Sequence, residues 1–262
     1  MILVLAGTSD ARELALLIKE NGYSLLTTVV TDNAAKSIEE AGLPVQVGRL
    51  TAEDIEMLIR EKGFQAVVDA SHPYAEEASK NAMAGAQAAE VPYIRYERES
   101  LDSPRHDKII FAEDYKQAAE IAVEKRGVIM LTTGSKTLKI FTDRLLGLPD
   151  TTLVARMLPR LDNMEKCEEL GIEQKNIVAM QGPFSKELNK ALYDHYGVTL
   201  MITKESGKVG AFDEKVEAAL EMGIETIVIA RPKIDYGTKF SDFAGVIGEL
   251  KQLLPVPQSS EV

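Results

Sequence analysis

Short apolar runs of four to six residues alternate with stretches of helical period along nearly the whole chain. The runs fall at 2–6 (ILVLA), 25–30 (LLTTVV), 44–47 (PVQV), 66–70 (AVVDA) and 92–95 (PYIR). After a polar segment they resume at 108–112 (KIIFA), 128–131 (VIML), 152–156 (TLVAR), 176–180 (NIVAM), 198–202 (VTLMI) and 226–230 (TIVIA). Amphipathic stretches such as Ala11–Asn21, Glu76–Glu90 and Phe212–Met222 lie between them. Strands with no polar face, joined by helical crossovers, predict parallel sheets covered on both sides, an α/β doubly wound design. The rhythm breaks at residues 97–107, ERESLDSPRHD, which are charged, contain Pro104 and carry no apolar period. Two domains of five or six strands each follow, residues 1–98 and 99–262. The tail is read as a Gly237 turn, a helix over Phe243–Leu253 and a disordered PVPQSSEV end.

Composition narrows the function classes. With 262 residues, 45% hydrophobic and 27% charged, the chain is an ordinary globular one, long enough for two cores. Its 41 acidic against 30 basic side chains, a net charge of −11, argue against a nucleic-acid binder. A small anionic ligand needs only a local basic cluster. Cys167 is the single cysteine, and no His–carboxylate cluster has ligand spacing, so neither a disulfide nor a metal is expected. The amino terminus reads as a strand rather than a signal peptide, and no run spans a bilayer, which predicts a cytoplasmic protein outside the membrane.

In open parallel sheets ligands sit beyond the carboxyl ends of the strands, so the residues just after each strand carry the functional reading. AGTSDARELA follows the first strand. Gly7 permits a tight turn, and the backbone NH groups and hydroxyls of Thr8 and Ser9 at a helix start favour a phosphate. Only one glycine of G-x-G-x-x-G is present, and Ser9 or Asp10 would also serve as a plain helix cap. Asp32 follows the second strand, where dinucleotide folds hold the adenosine ribose; a carboxylate there favours NADH, while Lys36 one turn on would suit NADPH. As a helix cap, Asp32 reads equally well. ASHPYAEEA follows the fourth strand and brings Ser71 and His72 to a helix start. Five basic residues also close strands: Arg95, Lys136, Arg156, Lys204 and Arg231. Solvated surface charge is the ordinary reading of each, but their recurrence in an acidic chain predicts a basic ring in one crevice for a polycarboxylate. MQGPFS adds Gln181, Gly182 and Ser185 as donors at a helix start, and KESGKVGAFDEK adds a loop with Gly207 and Gly210. TTGSK lacks the spacing of a P-loop.

The ordered set LAGTSDARELA, VVDASHPYA, PYIRYER, LTTGSK, ARMLP, AMQGPFS, TKESGKVGAFDEK and VIARP resembles the precorrin-6A reductase family of cobalamin biosynthesis, from about residue 2 to about residue 232. PVQVGRLT looks closer to its anaerobic, cobalt-precorrin branch. The resemblance implies two Rossmann-like domains with NADH or NADPH and an anionic corrin precursor in the cleft between them. It implies reduction of one macrocycle double bond of (cobalt-)precorrin-6A to precorrin-6B by hydride. Gly7, Thr8 and Ser9 would then hold the cofactor pyrophosphate, and Ser71, His72 and Tyr74 would line the nicotinamide side. Arg95, Lys136, Arg156, Gln181, Ser185, Lys204 and Arg231 would face the tetrapyrrole. His72, Tyr74 and Lys136 are the candidate proton donors, with water or a substrate carboxyl as alternatives. Two other function classes share a two-domain nucleotide fold: a nucleotide-sugar glycosyltransferase, and a non-enzymatic nucleotide sensor.

Overall fold

Each apolar run becomes a parallel strand, and each helical stretch returns the chain to the start of the next one. The structure is a computed structural model and describes residues 1–99, 106–205 and 213–254. The Pro104 break, Gly207, Gly210, Phe212 and the PVPQSSEV tail lie outside the described residues.

The chain divides into two compact units, one formed by Met1–Glu99 together with the segment from Pro232 onward, the other by Ser100–Arg231. In the first, strands β1 (Ile2–Leu5), β2 (Leu25–Val29), β3 (Val45–Val47), β4 (Ala66–Asp69) and β5 (Tyr93–Tyr96) alternate with helices α1 (Ser9–Glu20), α2 (Asp32–Glu40), α3 (Ala52–Lys62) and α4 (Glu76–Ala88). All four residues of β1 are buried. Their period of two explains why: Ile2 and Val4 pack with Leu14 and Ile18 of α1, whereas Leu3 and Leu5 pack with Ile55 of α3 and Ala82 of α4. α3 and α4 approach so closely that a Cβ on Gly85 would stand 2.7 Å from Ile55 Cγ2.

The second unit holds β6 (Ile109–Ala112), β7 (Gly127–Leu131), β8 (Thr151–Met157), β9 (Ile177–Ala179), β10 (Leu200–Lys204) and β11 (Glu225–Ile229), with helices α5 (Tyr115–Lys125), α6 (Leu138–Leu145), α7 (Leu161–Glu169), α8 (Lys186–Tyr196) and α9 (Glu214–Glu221). α5, α6 and α7 cover one face through Ala118, Phe141 and Cys167; α8 and α9 cover the other through Tyr193 and Val216.

The segment after Pro232 corrects the expected boundary of 99–262. It forms β12 (Lys239–Phe240) and α10 (Phe243–Leu253), and both belong to the first unit. β12 pairs in parallel with β5, Lys239 beside Arg95 and Phe240 beside Tyr96. Val246, Ile247 and Leu250 of α10 join the core under β1, and the Tyr96 and Phe243 rings meet at 5.0 Å. The helix stands where the period put it, but its apolar stripe fills the first sheet, not the second.

With β12 included, the first sheet reads β3-β2-β1-β4-β5-β12 and the second reads β9-β8-β7-β10-β11-β6. The two orders are the same, with a sixth strand borrowed from the chain's end in one and from its own leading segment in the other. Each order reverses direction once, between β1 and β4 and between β7 and β10, and those two points are where ligands of such sheets gather.

Candidate functional site

The register β1–β4 pairs Leu5 with Asp69, so Gly7 and Ser71 each stand two residues beyond the reversal point of the first sheet. Gly7 has φ +142°, a conformation that side chains oppose, and a Cβ there would meet nothing within 4 Å. Glycine is therefore demanded by the dihedral, and the space in front of the turn is open. Thr8, not Ser9 or Asp10, is the cap of α1: its Oγ1 accepts from the Ala11 amide at 3.2 Å. The hydroxyl proton of Thr8 and the exposed Ser9 remain as donors at the helix start, beside first-turn amides that the helix itself leaves unpaired. Asp10 pairs with Arg98 at the end of β5. Asp32 is likewise not a cap, because Thr31 caps α2 through the Ala34 amide at 3.2 Å. Asp32 is exposed at the first position of that helix, with Lys36 exposed one turn on.

Beyond β4 the expected roles change. Ser71 is buried, and its hydroxyl donates to Asp69 Oδ1 at 2.6 Å while its amide donates to the same oxygen at 3.0 Å. That hydroxyl is engaged inside the protein, with Ser79 Oγ 3.3 Å away as well. His72 is exposed; its Nδ1 accepts from the Tyr74 amide at 3.2 Å, and the two rings are 5.7 Å apart. Arg95 also leaves the expected basic ring. It is fully buried, with NH1 on Asp69 Oδ1 at 3.0 Å and NH2 on Glu97 Oε2 at 3.0 Å. Burial works against its charge, but Asp69 and Glu97 more than offset this and hold its pKa above the ordinary value. A guanidinium so enclosed cannot meet a substrate carboxylate.

The remaining four basic residues lie in the second unit. The register Lys204–Ile229 sets Arg231 two residues beyond the level of Lys204, and Leu131–Ile202 brings the Thr132–Lys136 turn alongside. Lys136 is exposed. Burial, then the charges of Lys215 and Lys136, push the Lys204 pKa down, which brings three lysines into one electrostatic neighbourhood. Lys215 was missed by sequence reasoning, although KESGKVGAFDEK contains it; its position in a helix hid it among surface charges. It pairs with Asp213 at 2.7 Å. Arg156 is 8% exposed and donates to Asn189 Oδ1 at 2.6 Å, with Phe184 4.2 Å below its guanidinium carbon. Burial lowers its pKa, and among the described residues no carboxylate forms a salt bridge with it. Arg231 is 9% exposed. Two hydroxyls on the LTTGSKT turn, Thr133 and Thr137, are buried without a hydrogen-bond partner among the described residues. Gln181 is exposed, and Ser185 is the cap of α8, accepting from Leu188 at 3.1 Å.

Among the described residues no group of three His, Cys, Asp or Glu side chains is placed to hold a metal, and no helix is long and apolar enough to cross a membrane.

Two six-stranded parallel Rossmann-like sheets, one opening a helix from a glycine turn and the other with basic residues at its strand ends, define a two-unit α/β protein. The family model described as "Precorrin-6x reductase CbiJ/CobK" matches residues 1–251, and the chain belongs to that family. It is 60% identical over 250 residues to the cobalt-precorrin-6A reductase of Priestia megaterium, covering 95% of this chain and 98% of that one. It is 37% identical over 254 residues to the cobalt-precorrin-6A reductase of Methanocaldococcus jannaschii, covering 96% and 98%. A solved structure titled "CobK precorrin-6A reductase" superposes with a TM-score of 0.76 at 23% identity, covering 98% of each chain, and shows the same fold. Membership in a reductase family decides against the glycosyltransferase and sensor alternatives.

Proposed function

We propose that the protein is a cytoplasmic cobalt-precorrin-6A reductase that transfers hydride from NADH or NADPH to one double bond of the macrocycle. The observation that carries this reading is the family match across residues 1–251, joined to an open glycine turn at the reversal point of the first sheet. A bound nicotinamide supplies the hydride; everything else falls to the chain.

Gly7, Thr8 and Ser9 fit a pyrophosphate, because a helix start with unpaired amides, a hydroxyl donor and free space in front of it suits an anion. Asp32 would accept from a ribose 2′-hydroxyl and repel a 2′-phosphate, which favours NADH. His72 and Tyr74, on the adjoining turn, would line the nicotinamide side. In the second unit Lys136, Arg156, Lys204 and Arg231, with Lys215, would hold acetate and propionate groups of the tetrapyrrole. Gln181 and the Ser185 hydroxyl proton add neutral donors. Reduction also needs a proton, for which exposed His72 and Lys136 and half-buried Tyr74 are the candidate donors, with water or a substrate carboxyl as alternatives.

Anaerobic incubation of the purified protein with cobalt-precorrin-6A tests the reading. Loss of nicotinamide absorbance in step with formation of the dihydro product is expected, faster with NADH than with NADPH. No oxidation of either nucleotide in the presence of substrate would overturn it.

A further inference from the structure

Beneath the Ser71–Tyr74 turn lies a charge network that neither the family match nor the proposed chemistry uses. Asp69 closes β4 with no solvent exposure, and both of its carboxylate oxygens are engaged. Oδ1 accepts from the Ser71 amide, the Ser71 hydroxyl and Arg95 NH1; Oδ2 accepts from the Tyr93 hydroxyl at 2.6 Å. Arg95 NH1 reaches back to the Asp69 carbonyl at 3.2 Å and to Ser71 Oγ at 3.3 Å. Its Nε and NH2 both donate to Glu97. The next residue, Arg98, pairs with Asp10 in the first turn of α1. β5 and the residues just after it thus hold the Ser71 turn through Arg95 and the start of α1 through Arg98, one on each side of the reversal point.

The lid of this network comes from the far end of the chain. Tyr236 lays its ring 4.9 Å from the Arg95 guanidinium carbon. Thr238 and Phe240 accept from the Arg95 and Glu97 amides at 2.9 and 3.0 Å, so the segment is fixed by backbone as well as by the ring. Buried ion pairs are poor stabilisers compared with apolar packing of the same volume. What such a pair does supply is direction, since every partner of Asp69 and Arg95 must stand at one angle and distance. Here the directed element is the turn that carries His72 and Tyr74.

We propose that Asp69, Arg95 and Tyr236 are positioning residues: they set the Ser71–Tyr74 turn in its cofactor-accepting geometry, and the returning segment after Pro232 holds them there. The inference rests on the cofactor reading of that turn given above. Its consequence is that nucleotide affinity depends on a side chain near the end of the chain that touches no nucleotide.

The test uses the full chain and NADH. Tyr236→Leu removes the ring over Arg95 while leaving the buried pair and the backbone pairing of β12 intact; Tyr236→Phe keeps the ring. Tyr236→Leu is expected to raise Kd and KM for NADH about tenfold. Its KM for the tetrapyrrole should stay within about threefold. Tyr236→Phe should return Kd to near the starting value. Ser9→Glu, which sets a carboxylate at the exposed start of α1, is the reference and should abolish NADH binding. If Ser9→Glu abolishes binding but folded Tyr236→Leu binds NADH normally, the positioning role is wrong and the cofactor reading stands. If Tyr236→Leu lowers only the melting temperature, the role is structural and the proposal fails. If Ser9→Glu itself binds NADH normally, the cofactor reading falls and takes the proposal with it.

Discussion

Arg156→Met separates the two demands on a buried cation. In the unliganded protein the guanidinium has given up water for one neutral hydrogen bond, to Asn189 at 2.6 Å, and for the face of Phe184. Methionine fills a similar volume without the charge, and relieving an ill-compensated buried charge is worth about 1–4 kcal/mol. Against this, Asn189 is 1% exposed and its Oδ1 would lose its donor, a cost of about 1–3 kcal/mol. The two nearly cancel, so the variant should unfold within about 1 kcal/mol of the parent, or ~2–4 °C for a chain of this size. Ligand binding has no such cancellation. Losing a charge-assisted hydrogen bond to a carboxylate costs about 1.5–3 kcal/mol, roughly a ten- to 150-fold weaker complex. Thermal melts of the apoprotein give the first number. The KM for the tetrapyrrole, or fluorescence titration with a polycarboxylate porphyrin, gives the second, with Arg156→Lys expected to fall between. A Met variant that loses more than about 3 kcal/mol of stability and keeps its tetrapyrrole KM would refute the reasoning and make Arg156 a packing residue.

Gly85→Ala should destabilise the first unit by about 1–3 kcal/mol despite alanine's better helix propensity, because its Cβ would sit 2.8 Å from the Ala52 carbonyl oxygen and against Ile55; an unchanged melting temperature would show that α3 and α4 can part freely. Burial pushes the Tyr115 and Tyr236 phenols up to about 12 from 10.0. The unfolded chain then holds fewer protons than the folded one above pH 10, so this contribution to stability is full below 10 and is lost as pH climbs through 12. Burial also raises Tyr23, Tyr93, Tyr96 and Tyr193, so ultraviolet titration should show most of the phenols ionising late, and every tyrosine ionising near 10 in the folded protein would contradict the burial. Asp32→Arg should reverse the nucleotide preference toward NADPH by about tenfold or more in kcat/KM; an unchanged ratio would mean that Asp32 does not face the ribose.

The strands were legible because a parallel sheet buried on both faces needs unbroken apolar runs, and runs such as ILVLA and TIVIA have no other soluble use. Gly7 was legible for a similar reason, since a strand that turns at once into a helix needs a residue free of the side-chain restriction at φ +142°. Helix Phe243–Leu253 was legible as a helix from its own period. Which sheet it would cover was not, because an apolar stripe specifies that it must be buried and says nothing about where. Only the tertiary structure carries it and β12 back to the first unit, and β12 itself, two residues long, has no period to read.

The basic strand ends divide along the same line. Arg95, Arg156 and Arg231 have the same sequence signature, a cation in or just beyond an apolar run. Asp69 and Glu97 turn Arg95 inward as an internal ion pair, whereas Arg156 hydrogen-bonds the Asn189 amide and lies over Phe184, with the Asp213 charge acting on it without forming a salt bridge among the described residues. Sequence fixed the spacing of such charges along the chain, and with it the end of the sheet at which they lie. Their partners come from strands and helices distant in sequence, so the tertiary structure alone decided which cation is enclosed in an internal ion pair and which is not.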